Sequence, residues 1–120
     1  MARIEGWDAD REIAVDIATC DRAEFNQLTT NQCWARRQRI RTLEALEAYS
    51  WALGATRGRP DHAFLPAALS AWRRYRDATC ALAGAAYKGG SMEPMTVASC
   101  HANRAIEWTT EMYLVIRTPR

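Results

Sequence analysis

The sequence predicts an all-α fold: a small, disulfide-stapled helical bundle built on a long helical hairpin, preceded by one long and one short helix. Three observations carry that expectation. Alanine, leucine, arginine and glutamate are abundant, while the alternating Val/Ile/Thr runs of strands are missing. Apolar residues return every three to four positions through three long stretches. Four cysteines fall in 120 residues, a single-domain length (1–120) that is small enough to gain from covalent staples.

The first element, about 8–20, carries Ile13, Ile17 and Cys20 at helical spacing and reads as a short helix. Residues 21–28 fit no single pattern. Thr29 and Thr30 then offer capping hydroxyls before a long run that continues to about Leu53, with Cys33, Ile40, Leu43, Leu46, Tyr49 (or Ser50) and Leu53 toward one side. The turn formers Gly54, Gly58, Pro60 and Asp61 end it. A third helix begins near Phe64–Pro66, where proline suits a first turn. Its expected inner stripe is Leu65, Leu69, Trp72, Tyr75 or Arg76, Thr79, Leu82 and Ala86. Lys88, Gly89 and Gly90 stop it, and Ser91 is expected to cap a fourth helix with Pro94 in the first turn. Met95, Ala98, Ala102, Ala105, Thr109, Met112 and Ile116 form the last stripe.

Charge and hydropathy exclude several function classes. The formal net charge is +2, too small to argue for nucleic acid. Most basic residues are arginine, and some of them cluster in Arg36, Arg37, Arg39 and Arg41; at helical spacing this run wraps the solvent side of one helix. No stretch of about 18 apolar residues exists to span a membrane. The N-terminus lacks the pattern of an export signal, so the protein is either cytosolic or has lost a signal, with Met1 then not native.

The cysteines bear on that choice. Cys20, Cys33, Cys80 and Cys100 allow three pairings. Zinc is the rival reading, but no C-x-x-C occurs, and His62 and His101 complete no ligand spacing, so no metal and no cofactor are expected. Along the predicted hairpin, Cys80 lies about 12 Å before the turn and Cys100 about 9 Å after it, at ~1.5 Å per residue. The two stand at nearly equal height and are able to face each other, which leaves Cys20 with Cys33. Disulfides imply an oxidising compartment, hence a periplasmic or secreted protein with its signal removed.

Catalytic constellations are absent. No G-x-S-x-G occurs, neither histidine has a nucleophile partner, and Glu44/Glu47 and Glu107/Glu111 are ordinary helix-surface pairs. The expectation is a non-enzyme. Five tryptophans invite a ligand-pocket reading, but Trp72 and Tyr75 are expected to fill the core, while any exposed member of Trp7, Trp34 and Trp108 would anchor a partner protein. Arg76 and Asp77 are expected to find separate partners and so fix helix order.

Trp72-x-x-Tyr75-Arg76-Asp77-Ala78-x-Cys80, followed by Gly89-Gly90-Ser91, Pro94 and Cys100, resembles the motif of the LprI-type lysozyme-inhibitor family. Upstream, Cys20, Thr29/Thr30, Cys33 and Tyr49 sit at compatible spacing, so the resemblance covers roughly residues 20–116. The chain departs from that pattern at Ala105 and Trp108 and around 50–62. The resemblance implies an exported bacterial helical protein that binds a lysozyme-like cell-wall glycan hydrolase. Alternatives are an immunity protein that neutralises a delivered wall-degrading toxin, and an envelope structural or assembly module. The partner is expected to be a protein, with no nucleic acid and no membrane span; the oligomeric state is left open. Contact candidates are the hairpin tip, with Lys88, Ser91, Met92 and Glu93, and the arginine-rich face, with Arg37 and Arg41.

Overall fold

The computed structural model describes residues 6–22 and 24–118. Among them are four α-helices and no strand: α1 (Ala9–Cys20), α2 (Gln27–Ala55), α3 (Leu65–Ala85) and α4 (Glu93–Arg117), with a short 3-10 turn at Pro60–Phe64 before α3. Asp8 caps α1 through its side chain, which accepts from the Arg11 amide at 3.2 Å. Asn26, not Thr29 or Thr30, caps α2: its Oδ1 accepts from the Thr29 amide at 2.8 Å. The long run therefore starts at Gln27, earlier than the threonines suggested. Asparagine holds the extended Ncap backbone at least as well as threonine.

Consecutive helices alternate in direction, so α2 and α4 run parallel and form the central pair. Asn31 meets Ser91 at one end, and Trp51 stacks on Tyr113 at the other. α1 lies against both, and α3 packs chiefly on α4. The molecule is elongated, 50 × 28 × 17 Å.

Small residues dominate the central contact. α2 buries Ala45, Ala48 and Ala52, and α4 buries Ala98, Ala102 and Ala105. Alanine on both sides lets the backbones approach closely and explains a correction. Ile40 and Leu43, expected inside, are 41% and 67% exposed, because bulky aliphatics have no room in an alanine-lined seam. The inward face instead runs through Thr30, Cys33, Trp34, Arg41 and the three alanines.

α3 is rotated from its expected orientation as well. Tyr75 and Leu82 were predicted to face inward but are 56% and 76% exposed. Cys80 must meet Cys100, and Gly84 lies against α4, where a Cβ would come within 2.5 Å of Val97 Cγ2. Those two contacts set the rotation. Leu65 and Gly84 are buried, Leu69 and Trp72 half-buried, and Tyr75 is turned out to solvent.

Two cores result. Near the α2 and α4 N-termini, Cys20, Cys33, Trp34, Ala98 and Ala102 pack with Phe25 and Met95. Toward the opposite end the aromatics gather. Trp72 stacks on Trp108 at 5.1 Å, Trp7 meets Tyr113 edge-on at 5.6 Å, and Tyr49 lies by Trp108 at 6.4 Å. No tryptophan is fully exposed, so all five serve packing first.

Candidate functional site

Both disulfides sit at one end of the bundle. Cys20 is the last residue of α1 and is bonded to Cys33 early in α2, with Cα atoms 5.6 Å apart. Cys80, near the end of α3, is bonded to Cys100 early in α4, with Cα atoms 5.5 Å apart. These are the two predicted pairs. The same end carries the α1–α2 loop and the α3–α4 tip, so each loop emerges from a covalently closed base.

The tip is further fixed by hydrogen bonds. Gly89 has φ +80°, a conformation that glycine adopts without Cβ strain. Its amide donates to Glu93 Oε1 at 3.1 Å, and the Gly90 amide donates to the Tyr87 carbonyl at 2.8 Å. Asn31 Nδ2 of α2 donates to the Ser91 carbonyl at 2.9 Å, tying the tip to the neighbouring helix. Ser91 was expected to cap α4, but Met92 occupies the Ncap position and no side chain bonds there. Glu93 folds back onto the tip instead, and Pro94 removes one amide that would need a cap. Glu93 thus closes the loop, while Lys88, Ser91 and Met92 are exposed.

The arginine-rich run divides into buried and exposed members. Arg41, expected on the solvent side and offered as a contact residue, is only 8% exposed. Its Nε and one terminal nitrogen donate to the two Asp16 oxygens, both at 2.9 Å, and it also reaches Glu12 and Glu44 at 3.0 Å. Burial alone would lower its pKa. The hydrogen bond to Asp16 and the charges of Glu44, Asp16 and Glu12 outweigh burial and raise it, so the guanidinium stays charged. Asp16 is fully buried, and this bidentate pair ties α1 to α2. It was missed in the sequence, although an acid between Ile13 and Ile17 on a helix that must bury one face is the kind of position that calls for a cation.

Arg37 stands 3.7 Å from Asp16 and keeps 31% of its side chain exposed. With Arg22 and Arg36 it borders a groove of about 380 Å3 whose apolar wall includes Phe25 and Ile40. Arg22 is also 3.6 Å from Glu24. The arginine face is therefore made by Arg36, Arg37 and Arg22 beside the α1–α2 loop, not by Arg41.

The 71–80 run is scaffolding with an outward edge. The Arg76 guanidinium lies over the Trp72 ring at 5.0 Å, and its Nε donates to Asp77 Oδ1 at 2.9 Å. The expectation of separate partners for these neighbours fails, because a long arginine bent over an indole reaches back to the adjacent carboxylate. That hydrogen bond holds the Asp77 carboxyl below its usual range, helped by the charges of Arg76, His101 and Arg73.

A family model described as lysozyme inhibitor LprI matches residues 20–111. The chain belongs to the LprI family. The matched span takes in both disulfides, the 71–80 run, the tip, the whole of α2 and most of α4. Proteins of this family are described as lysozyme inhibitors. An uncharacterized protein of Rhizobium meliloti (strain 1021) is 48% identical over 48 residues, 40% of this chain and 34% of the relative. That matched segment spans about a third of the relative's length. No solved structure matches the chain. Among the described residues, no helix of this LprI protein is long and apolar enough to cross a membrane.

Proposed function

We propose that this protein acts outside the cytoplasm as an inhibitor of a lysozyme-like cell-wall glycan hydrolase, and that the doubly stapled end of the bundle is the surface that grips it. The observation that carries the reading is the placement of both disulfides at the base of the two exposed loops, in a chain of the LprI family. Two long helices and a packed aromatic core already secure the far end. Sulfur closes two of the three connections between helices, and a loop held in one conformation before contact loses little entropy on binding. Bonded cysteines persist in an oxidising compartment, which suits a partner that works on the cell wall.

The tip supplies the chemistry. Hydrolases of this class cleave glycan with a pair of carboxyl groups in an open cleft, one of which must be protonated to act as general acid. An ammonium brought within about 4–6 Å of that acid favours its ionised form. Lys88, exposed beside the glycine turn, is the group we assign to this role, with Ser91 as a neighbouring hydrogen-bond donor and Met92 as an apolar contact. A loop that enters the cleft excludes substrate and removes the catalytic proton together. The groove bordered by Arg36 and Arg37, beside the α1–α2 loop, provides a second cationic contact, suited to acidic side chains on the cleft rim.

Titration of the oxidised protein into lysozymes of several classes, with cell-wall turnover as the readout, tests the reading. Stoichiometric loss of turnover is expected. Lys88→Glu should weaken inhibition at least tenfold without lowering Tm, since Lys88 lies outside both cores. Full turnover by every class at molar excess would refute the lysozyme assignment, and inhibition confined to a co-produced wall-degrading toxin would make this an immunity protein.

A further inference from the structure

Three arginines near the first disulfide have donors that the fold leaves unused. Arg41, Arg59, Arg76 and Arg104 each donate to a carboxylate at a distance between 2.6 and 2.9 Å. Arg22, Arg36 and Arg37 do not. Arg22 approaches Glu24 only to 3.6 Å and Arg37 approaches Asp16 only to 3.7 Å, both beyond hydrogen-bond reach. Arg36 is exposed and has no partner among the described residues. Both Asp16 oxygens already accept from Arg41, so that carboxylate is answered before Arg37 is counted. Glu24 is 64% exposed, and a surface pair of this kind neutralises little of the Arg22 charge.

The three guanidinium groups border one groove of about 380 Å3, with Phe25 and Ile40 on its apolar wall. Phe25 is half-buried and Ile40 is 41% exposed, so both present apolar surface to whatever enters. Cys33 lines the groove as well. Its bond to Cys20 anchors the loop that carries Arg22 and Phe25 to the helix that carries Arg36, Arg37 and Ile40. Both walls are thus in place before anything binds, which lowers the ordering cost.

We propose that this groove takes an acidic residue flanked by a bulky apolar one, presented on an exposed segment of the partner, which rests on the reading that the stapled end grips a protein. Charge and shape select that chemistry together. A guanidinium fork matches a carboxylate with two parallel hydrogen bonds, and three such forks without acceptors call for an anion. A bare anion would leave Phe25 and Ile40 facing water. An apolar side chain alone would leave the cations unanswered. The volume lies at the lower end of the range for ligand pockets, about 300–1,000 Å3, enough for a pair of side chains and too little for a folded element. The groove then supplies affinity, while the tip supplies the block.

An NMR titration of the oxidised protein, with no hydrolase present, tests the site. The probe is acetyl-Phe-Asp-amide, compared with acetyl-Phe-Asn-amide and with inorganic phosphate. The acidic dipeptide is expected to shift the Nε–Hε signals of Arg22, Arg36 and Arg37 and to bind at least about fivefold tighter than either comparison. Arg36→Gln should weaken it at least about threefold and leave Tm unchanged, because Arg36 is exposed and unpaired. No shift of those signals at about 20 mM probe overturns the proposal. Equal binding of the Asn dipeptide reduces the groove to an apolar patch, and equal binding of phosphate reduces it to a simple anion site; either result overturns it too. Lysozyme inhibition by Arg36→Gln is measured alongside. A protein that binds the acidic dipeptide but inhibits no lysozyme keeps the groove and loses the hydrolase reading. One that inhibits but ignores the dipeptide keeps the tip and loses the groove.

Discussion

Replacing Arg41 with leucine would strand Asp16, a fully buried carboxylate, with only Arg37 at 3.7 Å to answer its charge. Breaking a buried pair from one side costs about 3–5 kcal/mol, a large part of the roughly 5–15 kcal/mol that holds a domain together. Urea unfolding should show a loss of that size for Arg41→Leu and a smaller one for the double variant Asp16→Leu/Arg41→Leu, which leaves no orphaned charge. A single-variant loss under about 0.5 kcal/mol would mean that the pair is not closed in solution. His101 makes a second residue-scale prediction. Burial lowers its pKa, the charge of Arg76 adds to that, and Asp77 opposes it in part. Below its ordinary value of about 6.5 the unfolded chain therefore binds a proton more readily than the folded one. The stability contribution is complete above that pH and is lost as pH falls through the folded-state pKa. Tm should decline on acidification below about pH 6.5, and the decline should be shallower in His101→Gln; equal slopes for the two proteins would remove His101 from the account.

At the scale of elements, helix positions were legible and helix rotations were not. Starts and stops came from local chemistry: Pro66 and Pro94 in first turns, glycines at breaks, and an apolar return every three to four residues. Which face turns inward depends on what each helix meets. The large aliphatics Ile40, Leu43 and Leu82 fitted the expected period, yet the inward positions went to alanine, glycine and cysteine, because close approach of α2, α3 and α4 requires small side chains. The disulfide pairing was legible because it rests on axial height along a hairpin, which a helix rotation does not change. Each bridge contributes about 3 kcal/mol for loops of this length in the chain-entropy model. The Asn31 contact to the tip was hidden for a different reason: side-chain hydrogen bonds between residues 60 apart have no local signal.

Taken whole, the bundle separates two jobs along its 50 Å length. Aromatic packing among Trp7, Tyr49, Trp51, Trp72, Trp108 and Tyr113 holds one end, and sulfur holds the other. The contact candidates also sort by place. Lys88, Ser91 and Met92 lie exposed at the stapled end, Arg37 borders the groove by the α1–α2 loop, and Arg41 belongs to the interior. Hydrogen–deuterium exchange of the oxidised protein with and without an inhibited lysozyme tests this division most directly. The account predicts new protection confined to residues 21–26 and 86–92, with the aromatic end and α3 unchanged. Protection centred on the aromatic end, or on α3 with the tip unaffected, would contradict it.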